Sequence, residues 1–263
     1  MKSILAPGFF LIISLIQSAC QVQAQHDPSL KPVSHDAWTQ LLRRHVTASG
    51  MVDYQGFIRD SSALNQYLST LEGTYPNAQH WSREERLAYW INAYNAYTVQ
   101  LIIRHYPVES IKDIKEALVK IPLVNTVWDL KFITIDGENM DLNHIEHGIL
   151  RKEFEEPRIH FAINCASFSC PKMRPEAFTA LKLEGQLQDA ALDFINDPKR
   201  NRLGQEQVEL SKIFSWFSGD FKDEAGSVLN YIRRFAQTPV SEDADVDYMD
   251  YDWRLNDAGT RAQ

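Results

Sequence analysis

Apolar residues recur along most of this chain with the period of an amphipathic helix. The longest such stretch opens with a capping box, in which Glu85 follows Ser82, and it ends at His105 before the helix-breaking Pro107. A helix of this length with so many apolar positions is expected at the centre of the fold. Shorter periodic stretches predict further helices over residues 37–46, 64–71, 183–195, 212–217 and 227–235.

Patterns typical of strands are few. Residues 128–135, the turn pair Asp136-Gly137 and a short return segment predict a β-hairpin. The apolar run from Ile159 to Ile163 predicts one more short strand. So few strands between so many helices exclude a doubly wound sheet, and we predict an α+β fold: a helix-dominated single domain with a small, mainly antiparallel sheet.

The first residues have the pattern of an export signal. Lys2 precedes a short apolar run, and Val22-Gln-Ala24 has the small residues of a cleavage site, so residues 1–24 are predicted to be a signal peptide. The protein is then periplasmic or secreted in a bacterium. A second route is lipidation of Cys20, because Ser-Ala-Cys20 resembles the end of a lipoprotein signal and would tether the protein to the outer membrane. We favour cleavage after Ala24, since Gln17 stands where such signals carry an aliphatic residue.

Charge and composition narrow the class of partner. With 27 Lys and Arg against 35 Asp and Glu, the net charge is -8, which argues against nucleic acid and anionic membrane as the main partner because both need basic patches. No apolar run approaches the ~20 residues that span a bilayer, so no transmembrane span is predicted. We predict one globular domain over residues 25–240. Residues 241–263 form an acidic tail, mostly solvated, whose aromatic side chains dock on the domain.

Both cysteines of the predicted mature chain lie in one segment, His160-Phe-Ala-Ile-Asn-Cys165-Ala-Ser-Phe-Ser-Cys170-Pro. A thiol reacts as thiolate, and its pKa falls far enough only beside a histidine, a cation or a helix amino terminus. We predict Cys165 as nucleophile and His147, on a helix that Asp141 can cap, as its base. On a regular strand His160 would point away from Cys165, which is why His147 is preferred.

A third group would orient the imidazole. Glu146 is one candidate, and Asn92 and Asn95, which share a face of the long helix, are the others. Backbone N–H groups near Ala166 are expected to stabilise an oxyanion. Four further side chains are predicted to line the pocket, namely Tyr94, His160, Asn164 and Ser167.

The thiols also allow other chemistry. A Cys165–Cys170 disulfide fits an oxidising compartment, and so small a loop would stabilise the fold by only roughly 2 kcal/mol. The same pair could instead be a labile redox couple. His144 and His147 are spaced to face one ion, but Asn143 stands where a metalloprotease motif would have histidine. We therefore predict no metal and no cofactor.

Four segments of the chain together have the pattern of a known family. They are Tyr89-Trp-Ile-Asn-Ala-Tyr-Asn-Ala-Tyr, Asn143-His-Ile-Glu-His-Gly-Ile-Leu-Arg, the cysteine segment, and Leu210-Ser-Lys-Ile-Phe-Ser-Trp-Phe. Over a region from Trp38 to Phe235 the chain resembles the domain of unknown function 547 (DUF547) family. The resemblance implies a single domain that is often exported in bacteria and is sometimes joined to thioredoxin-like or glutaredoxin-like modules in plants, an analogy that suggests thiol chemistry.

Two classes of function follow. The first is an exported cysteine-dependent hydrolase or acyl transferase that acts on an amide or thioester of an unknown small molecule or peptide. The second is a non-enzymatic extracytoplasmic binding module whose recognition loop is shaped by a Cys165–Cys170 disulfide. A thiol-redox protein lies between them.

Overall fold

Helices dominate the residues that the computed structural model describes, which are 31–114 and 126–259, and the α+β prediction is confirmed. The predicted signal peptide and Cys20 lie outside the described residues. In chain order the helices are α1 (Asp36–His45), α2 (Tyr54–Arg59), α3 (Ser61–Glu72), α4 (Arg83–His105), a π-helix (His144–Leu150), α5 (Arg151–Phe154), α6 (Leu183–Ile195), α7 (Lys212–Trp216), α8 (Ser218–Ala225) and α9 (Val228–Arg233).

The predicted helices are found close to their expected bounds. The Ser82–Glu85 capping box is formed at the start of α4, and α6 has the predicted bounds. Two helices were missed. Helix α2 has six residues and contains Gly56, and α8 follows α7 with only Phe217 between them, so neither shows a separate periodic stretch.

The predicted hairpin is confirmed. Strands β1 (Ile133–Ile135) and β2 (Glu138–Met140) pair antiparallel, with Ile135 opposite Glu138. Asp136 and Gly137 join them with φ angles of 50° and 78°, as a tight primed turn requires. The first strand is shorter than predicted, because residues 127–129 form a turn of 3₁₀ helix instead.

A second sheet was not predicted. It consists of β3 (Arg202–Leu203), β4 (Gln207–Leu210) and β5 (Asp245–Tyr248), with β3 and β4 antiparallel and β4 and β5 parallel. Strand β5 belongs to the acidic tail, which therefore packs as part of the fold. Further along the tail, Leu255 and Asp257 are buried, in contrast to the mostly solvated segment that the sequence suggested.

The predicted strand from Ile159 to Ile163 is wrong. Residues Pro157–Phe161 form a 3₁₀ helix, with Pro157 in its first turn and the Glu156 side chain accepting a hydrogen bond from the N–H of Arg158. An apolar run of this length fits a buried helical turn as well as a strand, and no described strand lies beside it to accept a ladder. The argument that strand alternation turns His160 away from Cys165 therefore fails.

Two apolar clusters make up the core. The first surrounds α4, in which every residue from 87 to 102 is buried. The second is built from aromatic and aliphatic residues, mainly of α6 to α9 and β4, and includes Phe161. Phe161 belongs to the second cluster and Ile163 to the first, so the chain crosses from one cluster to the other between them. Cys165 and Cys170 follow directly after this crossing. No helix among the described residues is both long and apolar enough to cross a membrane.

Asn92 joins α4 to the segment before α6. Its side chain donates to the carbonyl of Phe178 at 2.7 Å and accepts from the N–H of Phe178 at 3.0 Å, inside the first cluster.

Asn92→Ala leaves both backbone groups buried without partners, so we expect the free energy of unfolding to fall by roughly 2–4 kcal/mol. Urea denaturation measures this change. The control variant Gln66→Ala removes an exposed amide side chain of α3 and should change stability by less than about 0.5 kcal/mol. Equal effects of the two substitutions would contradict the structural role of Asn92.

Candidate functional site

A cavity of about 170 Å³ opens where the two clusters meet, and it brings together most of the predicted site residues. It receives side chains from α4, the π-helix, the cysteine loop, α7 and the tail. The lining residues are Tyr94, Trp128, Asn143, Glu146, His147, His160, Ile163, Cys165, Cys170, Pro171, Ile213, Trp216, Phe217, Tyr251 and Trp253.

Buried asparagines fix the backbone of the cysteine loop, residues 164–171. Asn95 of α4 donates to the carbonyl of Ala162 at 3.0 Å and accepts from the N–H of Asn164 at 2.8 Å. The Asn164 side chain in turn accepts from the N–H of Ala166 at 2.8 Å and donates to the carbonyl of Pro171 at 2.6 Å. Ala166 adopts a φ of 62°, a strained conformation that persists only where the surroundings hold it.

The tail closes over the outside of the same loop. The N–H of Phe168 donates to the carbonyl of Arg254 at 2.7 Å, and the N–H of Asn256 donates to the carbonyl of Ala166 at 3.2 Å. These bonds bring Tyr251 against the thiols. The tail is thus a structural part of the site rather than an appendage to it.

Cys170 lies at the centre of a cluster of hydrogen-bond donors. Its Sγ accepts from the backbone N–H of Cys165 at 3.0 Å, from Ser167 Oγ at 3.1 Å and from Tyr251 Oη at 3.3 Å. Burial alone would raise the pKa of the Cys170 thiol, but the hydrogen bonds from Cys165, Ser167 and Tyr251 outweigh burial and lower it. Burial and the neighbouring thiols raise the pKa of Tyr251, so its hydroxyl stays protonated and able to donate.

Cys165, in contrast, is stabilised as the neutral thiol. Its hydrogen bond to Cys170, together with burial, raises the pKa of the Cys165 thiol. One negative charge shared by the pair therefore resides on Cys170, while Cys165 keeps its proton. The geometry favours Cys170 over the predicted Cys165 as the thiolate. Both residues are free cysteines in this structure, with no bond between their sulfurs.

His160 is held by an acidic partner from α8. Its Nε2 lies 2.8 Å from Asp220 Oδ2, and its ring stacks on Phe217 with centroids 3.9 Å apart. Although burial opposes ionisation, hydrogen bonds from Arg151 and His160 hold the pKa of Asp220 well below its usual range. Because a carboxylate only accepts hydrogen bonds, the Nε2 of His160 carries the proton and its Nδ1 is left as an acceptor.

The Nδ1 of His160 is buried and has no hydrogen-bond partner among the described residues. Burial lowers the pKa of His160 more than the nearby Asp220 raises it, so the ring is neutral at pH 7. A neutral imidazole with a free, buried nitrogen on a cavity wall is the arrangement of a general base. The sequence predicted His160 only as a pocket residue.

His147, the predicted base, also lines the cavity, but its environment differs. It is exposed, and its Nδ1 lies 3.1 Å from Arg151 Nη1, whose N–H it accepts. Burial of part of the ring and the charge of Arg151 lower its pKa. Neither His147 nor His160 forms a hydrogen bond to a cysteine in the described part of the chain. His160 is the stronger candidate for a base because it is buried, is held by Asp220 and keeps its Nδ1 free.

Glu146 is buried on the same wall. The π-helix carries it, a form of helix that is frequent at functional sites. Burial raises the pKa of Glu146 to about 7, although the hydrogen bond from the Tyr94 hydroxyl and the charge of Arg151 both oppose that rise. Glu146 contacts Tyr94 rather than an imidazole, so it does not orient a histidine as predicted.

The remaining predicted residues have structural contacts. Asn92 and Asn95 bond to backbone groups and not to an imidazole, and Asn164 shapes the loop. The N–H of Ala166, expected to be free for an oxyanion, is already donated to Asn164. Ser167 does join the site, through its bond to Cys170. Among the described residues no group of three or more His, Cys, Asp or Glu is placed to hold a metal ion.

Sequence reasoning missed Asp220, Tyr251 and the aromatic mouth of the cavity. Trp253 packs on Trp128, Trp216 and Tyr251 with ring centroids 4.5 to 5.7 Å apart, and Trp216 is 48% exposed. The aromatic content of the tail was a usable signal for Tyr251 and Trp253. Nothing in the local sequence distinguishes Asp220 from other surface acids.

The thiol geometry predicts which cysteine is reactive and what activates it. In reduced protein, alkylation by iodoacetamide should modify Cys170 with an apparent pKa below the ~8.5 of an ordinary thiol. Tyr251→Phe removes one donor and should move that pKa upward. Tandem mass spectrometry of the peptide that holds both cysteines, after labelling across pH, measures both effects.

The matched control is Tyr248→Phe, which changes a tyrosine of β5 outside the cavity and should leave the labelling curve unmoved. Preferential labelling of Cys165 at low pH would show that the charge of the pair lies on the other sulfur.

Comparison with known proteins gives one family. Residues 78–195 match the family model described as protein of unknown function, DUF547, a region that holds α4, the π-helix, the cysteine loop and α6. No curated protein and no solved structure gives a significant match.

Proposed function

We propose that this chain, whose residues 78–195 match the DUF547 family model, is an exported cysteine-dependent hydrolase or acyl transferase. One observation carries the proposal. A thiol stabilised as thiolate, Cys170, and a buried imidazole with a free Nδ1, His160, line the same cavity. These are the two groups that acyl transfer through a thioester requires.

The first half of the reaction forms an acyl-enzyme. The Cys170 thiolate attacks the carbonyl carbon of the substrate, a C–S bond forms, and the electron pair of the C=O bond moves to oxygen. Collapse of this intermediate breaks the bond to the leaving group, which departs with a proton taken up from solvent in the cavity. The donors that hold the resting thiolate, the Cys165 N–H and the hydroxyls of Ser167 and Tyr251, stand beside the developing oxyanion and can stabilise it.

The second half releases the acyl group. His160 Nδ1 takes a proton from water, or from an acceptor hydroxyl, as its oxygen attacks the thioester carbon. The C–S bond breaks and Cys170 regains its negative charge. Asp220 stabilises the imidazolium that forms, since it already binds the opposite nitrogen.

The cavity sets the size of the acyl group. About 170 Å³ with a mouth of indole and phenol rings suits a small apolar acyl group, either of a small molecule or of a side chain in a peptide. A folded protein does not fit, so a peptide substrate presents its reactive group at the mouth formed by Trp128, Trp216 and Trp253.

Variants of the purified, reduced protein test the proposal on a panel of esters, thioesters and peptide amides. Cys170→Ala should abolish turnover. His160→Gln should slow release of the acyl group by roughly 10²- to 10⁴-fold, so that the thioester accumulates and appears as an added acyl mass. Intact-mass spectrometry and product assays measure these outcomes.

His147→Gln serves as the matched imidazole control and should retain most of the activity. Turnover that survives Cys170→Ala would contradict the proposal. So would an equal loss in His160→Gln and His147→Gln, because it would deny His160 a distinct role.

A second function, thiol–disulfide exchange, is favoured by the contact between the two thiols. The Cys170 thiolate would attack a small-molecule disulfide and release one thiolate. Cys165 would then displace the second, leaving a Cys165–Cys170 bond and a reduced small molecule.

Titration with glutathione disulfide tests this alternative. Thiol–disulfide exchange predicts rapid loss of both free thiols in the wild type and a stable mixed disulfide on Cys170 in Cys165→Ser. Mass spectrometry measures both products. A stable mixed disulfide on wild-type protein would exclude exchange. A disulfide that forms but supports no redox turnover would favour the binding module with a disulfide-shaped loop.

A further inference from the structure

The cavity contains a buried carboxyl group that the two steps above do not use. Glu146 is 8% exposed, lines the cavity with both cysteines and is fixed by the hydroxyl of Tyr94. A buried carboxyl group usually pairs with a cation. The cation on the next turn, Arg151, instead forms a two-pronged pair with Asp220, at 2.7 and 2.6 Å. Glu146 is therefore left without a direct ionic partner among the described contacts.

The groups that face Glu146 determine how readily its carboxyl group loses its proton. Tyr94 of α4 donates to it and Arg151 attracts its charged form, while the charges of Cys170 in the loop and Asp220 in α8 repel that form. His147, its neighbour on the π-helix, stays neutral at pH 7 because its pKa is lowered. Burial is the largest influence, and it favours the protonated acid.

We propose that Glu146 is the general acid of the acylation step and that the substrates are acyl donors with basic leaving groups, namely amides and alkyl esters. This inference rests on the proposed function. A thiolate nucleophile whose charge comes from hydrogen-bond donors has no imidazolium beside it to protonate the leaving group, since His160 is neutral in the resting site. Glu146 is the described cavity residue with an acidic proton to give.

The proton balance closes over one turnover. Glu146 gives its proton to the departing nitrogen or alkoxide oxygen as the C–N or C–O bond breaks, and becomes a carboxylate. His160 takes a proton from water in the second half. That proton returns to Glu146 through solvent in the cavity, and the site is restored with the Cys170 thiolate and the Glu146 acid.

The chemistry of the leaving group sets the substrate class. Aryl oxides and thiolates leave as anions at neutral pH, so an enzyme that acts on aryl esters or thioesters gains little from an acid. Amines and alkoxides are too basic to leave without a proton. Burying a protonated acid beside the nucleophile costs free energy. That acid is useful only for basic leaving groups, namely amines and alkoxides.

The test compares two leaving groups on one acyl group. For the acyl group that the protein turns over best, the p-nitrophenyl ester and the ethyl ester or ethylamide are assayed with wild type and Glu146→Gln. Gln keeps the size of the side chain and its contact with Tyr94 but has no proton to give. We expect kcat/KM for the ethyl compound to fall by about 10²-fold or more and that for the p-nitrophenyl ester to change by less than about threefold.

The pH profile of the wild type gives a second readout that needs no variant. With the ethyl compound, kcat/KM should fall as pH rises above about 7, because Glu146 must be protonated to act. With the p-nitrophenyl ester this alkaline fall should be absent. Glu153→Gln, an exposed acid of α5, is the matched control and should leave both profiles unchanged.

The outcomes separate this inference from the proposed function. If Cys170→Ala abolishes turnover but Glu146→Gln slows both leaving groups equally, the general acid is not Glu146 and the substrate class is unsupported. If Cys170→Ala leaves turnover intact, the thiol mechanism itself fails. Unchanged iodoacetamide labelling of Cys170 in Glu146→Gln shows that the variant keeps its site.

Discussion

The hydrogen bonds between Asn95 and the backbone around Asn164 are the constraint on which the site depends. They connect the centre of the long buried helix to the start of the cysteine loop. The Asn164 side chain then forms hydrogen bonds with the backbone of Ala166 and Pro171, which fix the rest of the loop. Ala166 is held in a conformation that a free loop would leave. With the loop fixed, the N–H of Cys165 points at the sulfur of Cys170, and the location of the negative charge follows.

The site is defined by which groups carry a proton as well as by which side chains are present. Donors surround one sulfur, so it ionises, while its neighbour keeps a proton. Asp220 binds one nitrogen of His160 and leaves the other free, and burial keeps Glu146 protonated beside Tyr94. A thiolate, a neutral imidazole and a protonated carboxyl group thus coexist at neutral pH because each has a different balance of burial and hydrogen bonds.

Local patterns predicted the helices well. The capping box of α4, the bounds of α6 and the Asp136-Gly137 hairpin depend on neighbours in the sequence. The strand at Ile159–Ile163 failed because an apolar run does not distinguish a strand from a buried turn. The candidate site was predicted in its residues more than in their roles, since Asp220 and Tyr251 reach it from distant parts of the chain. Asp220 has no local signal in the sequence, and the aromatic content of the tail indicated only that Tyr251 docks on the domain, not what it contacts there.

The tail has a consequence for how the protein matures. A chain is made from its amino terminus, and both cysteines precede Tyr251 by about eighty residues. Until the tail has been synthesised and has paired with β4, Cys170 lacks the donor that Tyr251 supplies. Before that pairing Cys170 has one hydrogen-bond donor fewer, so its thiol ionises less readily than in the folded protein. The ionisation of Cys170 is therefore coupled to docking of the tail, a segment far from it in sequence.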